Sequence, residues 1–324
     1  MKNVAIIMGG YSSEYKISLT SGNVVYNYLD KTKYQAYRIH LFKDKWVYVD
    51  ANDVEYPINK NDFSVEVNQE KITFDVVFNA IHGTPGEDGL MQAYFELLGI
   101  KQTSCDYYQA ALTFNKRDLL SVLKPYGIKT AVSYYLNLGD PINADEIISK
   151  VGLPCFVKPN KSGSSFGISK VKIKEELLPA IENAYKEDSE IIIESFLDGP
   201  EVSVGVINYQ GKITVLPITE IVSENDFFDY EAKYLGKSKE ITPARISEEL
   251  KHKIETVAKR AYEVLKMKGF SRSEFIIVNG EPHMLEMNTI PGLTTESILP
   301  QQAREAGISL PELFENAIEL ALAN

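Results

Sequence analysis

Two short stretches carry the densest chemistry in this 324-residue chain. One reads Arg272-Ser273-Glu274. The other, beyond Asn279-Gly280, reads Glu286-Met287-Asn288. Side chains alternate faces along a strand, so Arg272 and Glu274 share a face, as do Glu286 and Asn288. Whether the two pairs share the same face depends on the turn. A two-residue Asn279-Gly280 turn would pair Glu274 with Leu285 and separate the carboxylates. A type I turn with Gly280 left-handed, followed by a bulge, would pair Glu274 with Met284 and gather all four side chains. We expect the second register. Two carboxylates and an amide oxygen so gathered suit a hard, octahedral Mg²⁺ that bridges nucleotide phosphates. A solvated acidic hairpin is the alternative.

Four other segments surround this one in interest. Gly9-Gly10-Tyr11-Ser12-Ser13-Glu14 follows the first apolar run. It lacks the G-x-G-x-x-G order of dinucleotide sites, but its glycines let the backbone approach a ligand beside a helix start. Glu14 there either complements the helix dipole or binds an ammonium group. His82-Gly83-Thr84-Pro85-Gly86-Glu87-Asp88-Gly89 closes another strand, where ligands of open α/β sheets bind. Alone, His82 is more often a structural histidine than a functional one. Lys158-Pro159-Asn160-Lys161-Ser162-Gly163-Ser164-Ser165-Phe166-Gly167 offers a row of backbone N–H groups with a lysine behind, suited to phosphates, although it is not a Walker A loop. In Asn288-Thr289-Ile290-Pro291-Gly292, the Gly292 N–H is free to meet a developing oxyanion. Finally, Asp229-Tyr230-Glu231-Ala232-Lys233-Tyr234 lies in a stretch without clear period, 222–245, that reads as a lid or as a surface loop.

The elements that must hold these groups alternate at first. Val4–Met8 reads as a buried parallel strand, 18–29 as a helix, 35–42, 46–49 and 74–81 as strands, and the residues after Asp88 as a helix that Asp88 caps and Gly99 ends. That is an α/β, Rossmann-like unit with a parallel sheet, ending near residue 104. A smaller α+β unit follows over 105–192, with a helix at 116–123, strands at 154–158 and 168–172 around the Gly/Ser loop, a helix at 174–187 and a strand at 190–196. The last unit, 193–324, opens with strands 202–209 and 212–221. It continues through the 222–245 segment to a helix at 247–268 capped by Ser247. The acidic hairpin and a final helix from about 311 complete it.

Composition sets the outer limits. Charged residues make up 24% and the net charge is −11, which disfavours gripping nucleic acid or lying on anionic lipid. No apolar run is long enough to span a bilayer or serve as a secretory signal. Cys105 and Cys155 cannot form a disulfide framework. A soluble, cytoplasmic protein is expected, with two reduced, buried thiols.

In their order and spacing these motifs resemble the D-alanine–D-alanine ligase family of the ATP-grasp superfamily. The matching pieces are Gly9-Gly10-x-Ser12-x-Glu14, His82-Gly83 with Gly86-Glu87-Asp88-Gly89, Lys158-Pro159 and its loop, Glu231-Ala232-Lys233-Tyr234, and Glu286-x-Asn288-Thr289-x-Pro291-Gly292. The resemblance implies an ATP-grasp fold, with ATP clasped between the central and C-terminal units. It implies a homodimer, two Mg²⁺ (or Mn²⁺) ions, and ligation of two D-alanines through a D-alanyl phosphate for peptidoglycan precursors. By position, Lys116 and Lys158 would contact phosphates, with the 162–167 loop, including Ser165, folding over them. Glu194, Ser195, Phe196 and Leu197 would line the adenine and Glu201 would hold the ribose. Glu274, Glu286 and Asn288 would bind the metals. Glu14 would take the first D-alanine's ammonium, linked to Ser164 and Tyr234, with His82 near that subsite. Arg272 and the Gly292 N–H would stabilise the tetrahedral intermediate, and Ser297, the Ile298 N–H and Lys233 would hold the second carboxylate. Two positions depart from the family: Glu274 replaces an aspartate, and Ser195 replaces a frequent lysine. Tyr234 in its Glu-Ala-Lys-Tyr context favours the dipeptide over D-alanyl-D-lactate. D-Lactate or D-serine as second substrate, and a non-catalytic nucleotide-binding regulator, are the alternatives. The regulator is disfavoured because Lys158, Arg272, Glu286 and Asn288 are all present.

Overall fold

The apolar run after Lys2 becomes the centre of a sheet because every residue from Val4 to Gly9 is buried. The computed structural model describes residues 1–163, 166–223 and 238–323, and the strands among them form three sheets. In the first, Lys2–Gly9 lies parallel between Tyr34–Leu41 and Val76–Asn79, and Lys101–Gln102 adds a fourth parallel strand. Four antiparallel strands, from Trp46–Val49 to Glu70–Ile72, extend one edge. The expected parallel sheet is therefore only half of this eight-stranded layer. Trp46–Val49 is one of the expected strands; the other three, Glu55–Asn59, Ser64–Val67 and Glu70–Ile72, are short and bury only Ile58, Ser64 and Val65, so little hydrophobic pattern marks them.

Sheet neighbours lie on opposite sides of Lys2–Gly9, so a crevice opens at the carboxyl ends of that strand and Val76–Asn79. Glu14 and the His82–Gly89 turn come from the connections at this crevice. The first helix, Tyr15–Tyr28, starts directly after Glu14, three residues earlier than its apolar face suggested. Asp88 does not cap the next helix, Leu90–Leu98. Gly89 does, at φ 90°, where a Cβ would meet the Tyr107 carbonyl oxygen at 2.5 Å. Asp88 instead accepts from the Leu90 N–H at 3.2 Å.

The second sheet orders Ser133–Asn137, Glu190–Ser195, Cys155–Pro159 and Ser169–Val171, all antiparallel. Helices Ala144–Val151 and Leu177–Ala184 bury Ile147, Val151, Leu177 and Ile181 in the same core as Val157 and Ile193.

The third sheet runs Ser238–Ile241, Thr219–Ser223, Glu201–Tyr209, Phe270–Val278, Glu281–Asn288 and Lys129–Thr130. The strand expected over 212–221 is two strands, Lys212–Val215 and Thr219–Ser223, both paired to Glu201–Tyr209. Pro217 between them has no N–H to give a ladder, which explains the break. Thr219–Ser223 pairs with Ser238–Ile241 and joins the two ends of the aperiodic segment. Residues 224–237, with the Asp229–Tyr234 stretch, lie outside the described residues. The helix Glu248–Val264 is capped by Ser247, whose Oγ accepts from the Leu250 N–H at 3.3 Å.

The hairpin corrects the expected turn. Asn279 and Gly280 have φ of 51° and 74°, as a two-residue type I′ turn requires, and Val278 pairs with Glu281. The extra residue is deeper in the strand. Phe275 pairs with Met284 whereas Glu274 pairs with Glu286, so Leu285 is bulged. The four polar side chains still share a face, because this bulge restores the alternation that the tight turn would have broken.

The helix Leu310–Ala323 leans back on the first sheet. Phe314 and Ile318 share a core with Val4, Ile6 and Phe78, and the Phe78 and Phe314 rings meet edge-on at 5.7 Å. Cys105 and Cys155 are buried and free. Among the described residues no helix is long and apolar enough to cross a membrane.

Candidate active site

The bulged hairpin sets the floor of a cavity where the first and third sheets meet. Register places Glu274 opposite Glu286 on one side and Ser203 on the other, and Arg272 opposite Asn288. The Arg272 guanidinium donates to Glu274 and to Ser203 Oγ at 3.1 Å. Burial alone would lower its pKa, but Glu274, Glu286 and Glu240 outweigh burial and raise it.

Lys116 is delivered by helix Lys116–Leu123. Its start is held by the fully buried Asn160, whose Oδ1 accepts from the Arg117 N–H at 2.9 Å and whose Nδ2 donates to Asn115 Oδ1 at 2.8 Å. Asn115 in turn caps the helix. The Lys116 ammonium lies 3.1 Å from Glu286 Oε2 and donates to the Ser162 carbonyl at 2.8 Å. It thus joins the hairpin to the Gly/Ser loop. Asn160 is a site-building residue that motif reading passed over, although it sits inside the Lys158–Gly167 loop.

Lys158 and Glu194 are diagonal neighbours on adjacent strands, because Phe156 pairs with Glu194 and Lys158 with Ile192. Their charges meet at 2.8 Å with both side chains largely buried. Burial pulls the Lys158 ammonium down, but Glu194 and then Glu286 and Glu201 hold it above its ordinary value.

On the opposite wall, Glu14 faces the loop so closely that a Cβ on Gly163 would stand 2.5 Å from its Oε2. His82 is buried. Its Nδ1 lies 2.8 Å from the Ile290 carbonyl, to which it donates, and its Nε2 lies 3.0 Å from the Ser21 hydroxyl. Burial lowers its pKa, Glu14 opposes and Arg272 assists, so the imidazole is neutral near pH 7. Glu87 makes the same connection. Its oxygens accept from the Gly83 N–H at 2.7 Å and the Ile290 N–H at 3.3 Å. Burial, with Glu14 and Glu286 adding to it, pushes the Glu87 carboxyl up to about 8. The role of Glu87 was not read from the sequence. A glutamate inside a Gly-rich turn at a strand end was the available signal.

At the far end, Gly292 lies against Ser297: a Cβ there would come 2.6 Å from Ser297 Oγ. Ser297 also meets Thr294 Oγ1 at 2.8 Å and opens the helix Ile298–Glu305. The helix N-terminus and the Gly292 backbone suit an anion.

One cavity is lined by Glu14, His82, Lys116, Arg272, Glu286, Asn288, Gly292 and Ser297, residues far apart in sequence. Lys158, Glu194–Leu197, Glu201, Glu274 and Ile298 are not in its lining. The Phe196 ring faces Phe156 at 6.2 Å with the Lys170 ammonium 4.5 Å away. Ser195 Oγ accepts from the Val132 N–H at 3.0 Å. Ser164, Ser165, Lys233 and Tyr234 lie outside the described residues.

The donor set fits a hard divalent cation. Glu274 and Glu286 supply carboxylates on one face. Asn288 buries its amide nitrogen without a hydrogen-bond partner among the described residues, and a flipped amide would present an oxygen there instead. No group of three or more His, Cys, Asp or Glu side chains among the described residues forms a metal cage by itself. Phosphate and water oxygens are the other ligands that a hard cation takes.

Comparison with known proteins accounts for nearly all of the chain. The family model described as D-ala D-ala ligase N-terminus matches residues 3–105, and the one described as D-ala D-ala ligase C-terminus matches residues 124–319. The chain is 81% identical over 323 residues to a D-alanine–D-alanine ligase of Flavobacterium johnsoniae, with 100% of each covered. The crystal structure of D-alanine–D-alanine ligase from Bacillus anthracis complexed with ATP superposes with a TM-score of 0.81 at 29% identity, covering 100% of this chain and 98% of that one. The VanG D-Ala:D-Ser ligase from Enterococcus faecalis superposes with a TM-score of 0.86 at 31% identity, covering 99% of each.

Proposed function

This chain belongs to the D-alanine–D-alanine ligase family, with the ATP-grasp fold, and from that premise we propose how its residues divide the work. It is an ATP-dependent ligase that joins two D-alanine molecules into D-alanyl-D-alanine for peptidoglycan precursors. The observation that carries the assignment of roles is the meeting of Glu14, Lys116, Arg272, Glu286, Asn288 and Gly292 around one cavity.

A carboxylate is a poor electrophile, and phosphoryl transfer from ATP turns the first D-alanine into an acyl phosphate. The second amine then attacks and phosphate leaves. The protein's share is positioning and charge neutralisation rather than covalent chemistry. Glu14 binds the first ammonium, with Ser164 and Tyr234 completing that contact and His82 and Glu87 fixing the Ile290 segment beside it. Lys116 and Lys158 draw the phosphates, under the 162–167 loop with Ser165. Both lysines are held in place by Glu286 and Glu194 before substrate arrives. Glu194, Ser195, Phe196 and Leu197 line the adenine and Glu201 holds the ribose. Glu274, Glu286 and Asn288 would hold two Mg²⁺ or Mn²⁺ ions, which would neutralise phosphate charge. Glu274 is a methylene longer than the family's usual aspartate, and it accepts a hydrogen bond from Arg272. Arg272 and the Gly292 N–H face the tetrahedral oxyanion, and Ser297, the Ile298 N–H and Lys233 hold the second carboxylate.

We further propose that the chain is organised as 1–104, 105–192 and 193–324, with 222–245 as the lid. Each proposed unit contributes the larger part of one sheet. Assembly as a homodimer and a cytoplasmic location follow from the family resemblance.

Phosphate release from ATP tests the assignment. It should require D-alanine and Mg²⁺ together, and L-alanine should not substitute. D-Serine and D-lactate arms decide the second substrate, which the likeness to the D-Ala:D-Ser ligase makes worth measuring. Absence of D-alanine-dependent release would overturn the ligase assignment. Glu286→Gln should abolish turnover with the fold retained, and an active variant would refute its metal role.

A further inference from the structure

Helix Tyr15–Tyr28 carries two fully buried serines, Ser18 and Ser21, three residues apart and so on one face. Their hydroxyls do different work. Ser18 stays within the first sheet: its Oγ accepts from the Gly9 N–H at 2.9 Å and donates to the Ala80 carbonyl at 2.7 Å. Ser21 reaches beyond it. Its Oγ accepts from the Leu293 N–H at 3.3 Å and meets His82 Nε2 at 3.0 Å. The other ring nitrogen of His82 lies 2.8 Å from the Ile290 carbonyl. The helix, the turn that begins at His82 and the 290–293 segment are thereby closed into one ring of hydrogen bonds.

The direction of every bond in that ring is fixed. A carbonyl oxygen only accepts, so His82 Nδ1 carries the proton. In a neutral imidazole Nε2 is then bare and accepts. The Ser21 O–H donates to it, and a Ser21 lone pair takes the Leu293 N–H. Both nitrogens of His82 are thus used within the protein, so His82 walls the cavity rather than hydrogen-bonding a substrate. The ring also grips the segment on both sides of Gly292. The Ile290 N–H donates to Glu87, the Leu293 N–H donates to Ser21, and Pro291 has no N–H. The Gly292 N–H, the proposed oxyanion donor, lies between these fixed points.

We propose that Ser21 is a positioning residue for the ligation step: its hydroxyl holds His82 with the proton on Nδ1 and, through Leu293, holds the backbone that presents the Gly292 N–H. The kinetic arm of the test rests on the ligase assignment, and the spectroscopic arm does not. The chain has four histidines, so nitrogen NMR of the histidine-labelled parent is tractable, with His82→Gln identifying the His82 signals. At neutral pH His82 should be protonated at Nδ1 and bare at Nε2. The opposite tautomer, or an imidazolium, overturns the proposal whatever the substrate, and this measurement on the parent decides even if a serine variant does not fold. Removing an oxyanion donor outright costs about 100-fold or more, and loosening one costs less, so Ser21→Ala should lower kcat about tenfold with the ATP KM unchanged. The same variant should speed hydrogen exchange at the Leu293 amide. Ser18→Ala is the control, because it removes an equally buried hydroxyl of the same helix that has no bond to the 290–293 segment. It should keep parental kcat and parental exchange at Leu293. Parental kcat or unchanged Leu293 exchange in Ser21→Ala overturns the proposal, as does an equal loss of kcat in Ser18→Ala.

Discussion

Gly163 offers the cleanest test of where the first ammonium binds. Its backbone is not in the left-handed region, so an alanine is conformationally allowed. The added Cβ would stand 2.5 Å from Glu14 Oε2, 2.9 Å from Oε1 and 3.0 Å from Cδ. An ordinary carbon–oxygen contact is about 3.4 Å, so the carboxylate must retreat by roughly 0.9 Å. It is the end of a flexible side chain, and the move costs the fold little. Gly→Ala at a permitted position even adds about 0.4–1 kcal/mol by restricting the unfolded chain. Catalysis is less forgiving. A displacement of about 1 Å at a reacting centre costs on the order of 100-fold, about 2.7 kcal/mol. Gly163→Ala should therefore lower kcat/KM for D-alanine about 100-fold in the phosphate-release assay. The ATP KM and the thermal midpoint should change little, or the midpoint should rise slightly. Parental kcat/KM in a folded variant would show that Glu14, pressed against Gly163, is not the ammonium ligand.

Glu194→Gln should leave the Lys158 ammonium buried without its nearest counter-charge and destabilise the protein by about 3–5 kcal/mol in urea denaturation. Loss of under about 1 kcal/mol would refute the pairing, and adding Lys158→Met to Glu194→Gln should recover most of the stability. For Glu87 the sign follows from a carboxyl raised to about 8 in the folded state against an ordinary 4.5 unfolded. Between those values the folded chain holds the extra proton, so stability falls as pH rises, by up to about 1.4 kcal/mol per pH unit. Glu87→Gln should remove that slope between pH 5 and 8, and an unchanged slope would show that another group is responsible.

The parts legible in the sequence were those fixed by short-range rules. Buried parallel strands announce themselves as continuous apolar runs, so Lys2–Gly9 and Val76–Asn79 were readable. The Ser247 cap and the apolar stripe of Glu248–Val264 were equally plain. The face shared by Arg272, Glu274, Glu286 and Asn288 was reached by a wrong turn. The bulge is at Leu285, where packing under Phe275 and Met284 decides it, and no turn signal marks that position. Helix Ala144–Val151 was missed although Asn143 accepts from the Glu146 N–H and Asp145 and Glu146 fill its first turn, a cap pattern visible in the sequence. Asn160 and Glu87 stayed hidden for a different reason. Their value lies in hydrogen bonds to backbone groups 43 and 203 residues away, which no local pattern encodes.

Those distant contacts also explain how a chain of net charge −11 prepares a site for anions. Each proposed phosphate- or oxyanion-binding cation that the structure describes is partly or fully buried, and each has its own carboxylate: Lys116 has Glu286, Lys158 has Glu194 and Arg272 has Glu274. Without those partners the desolvation of three cations would be prohibitive. The acids therefore do not oppose the site's function but make its positive groups tolerable in a buried place. Two of the three, Glu274 and Glu286, are also the proposed metal ligands. The same carboxylates that hold Lys116 and Arg272 in the free enzyme are then the ones that a phosphate-bound cation would recruit. These three pairs sum to zero charge, so the net −11 is carried by acids elsewhere on the chain and does not set the local affinity for anions.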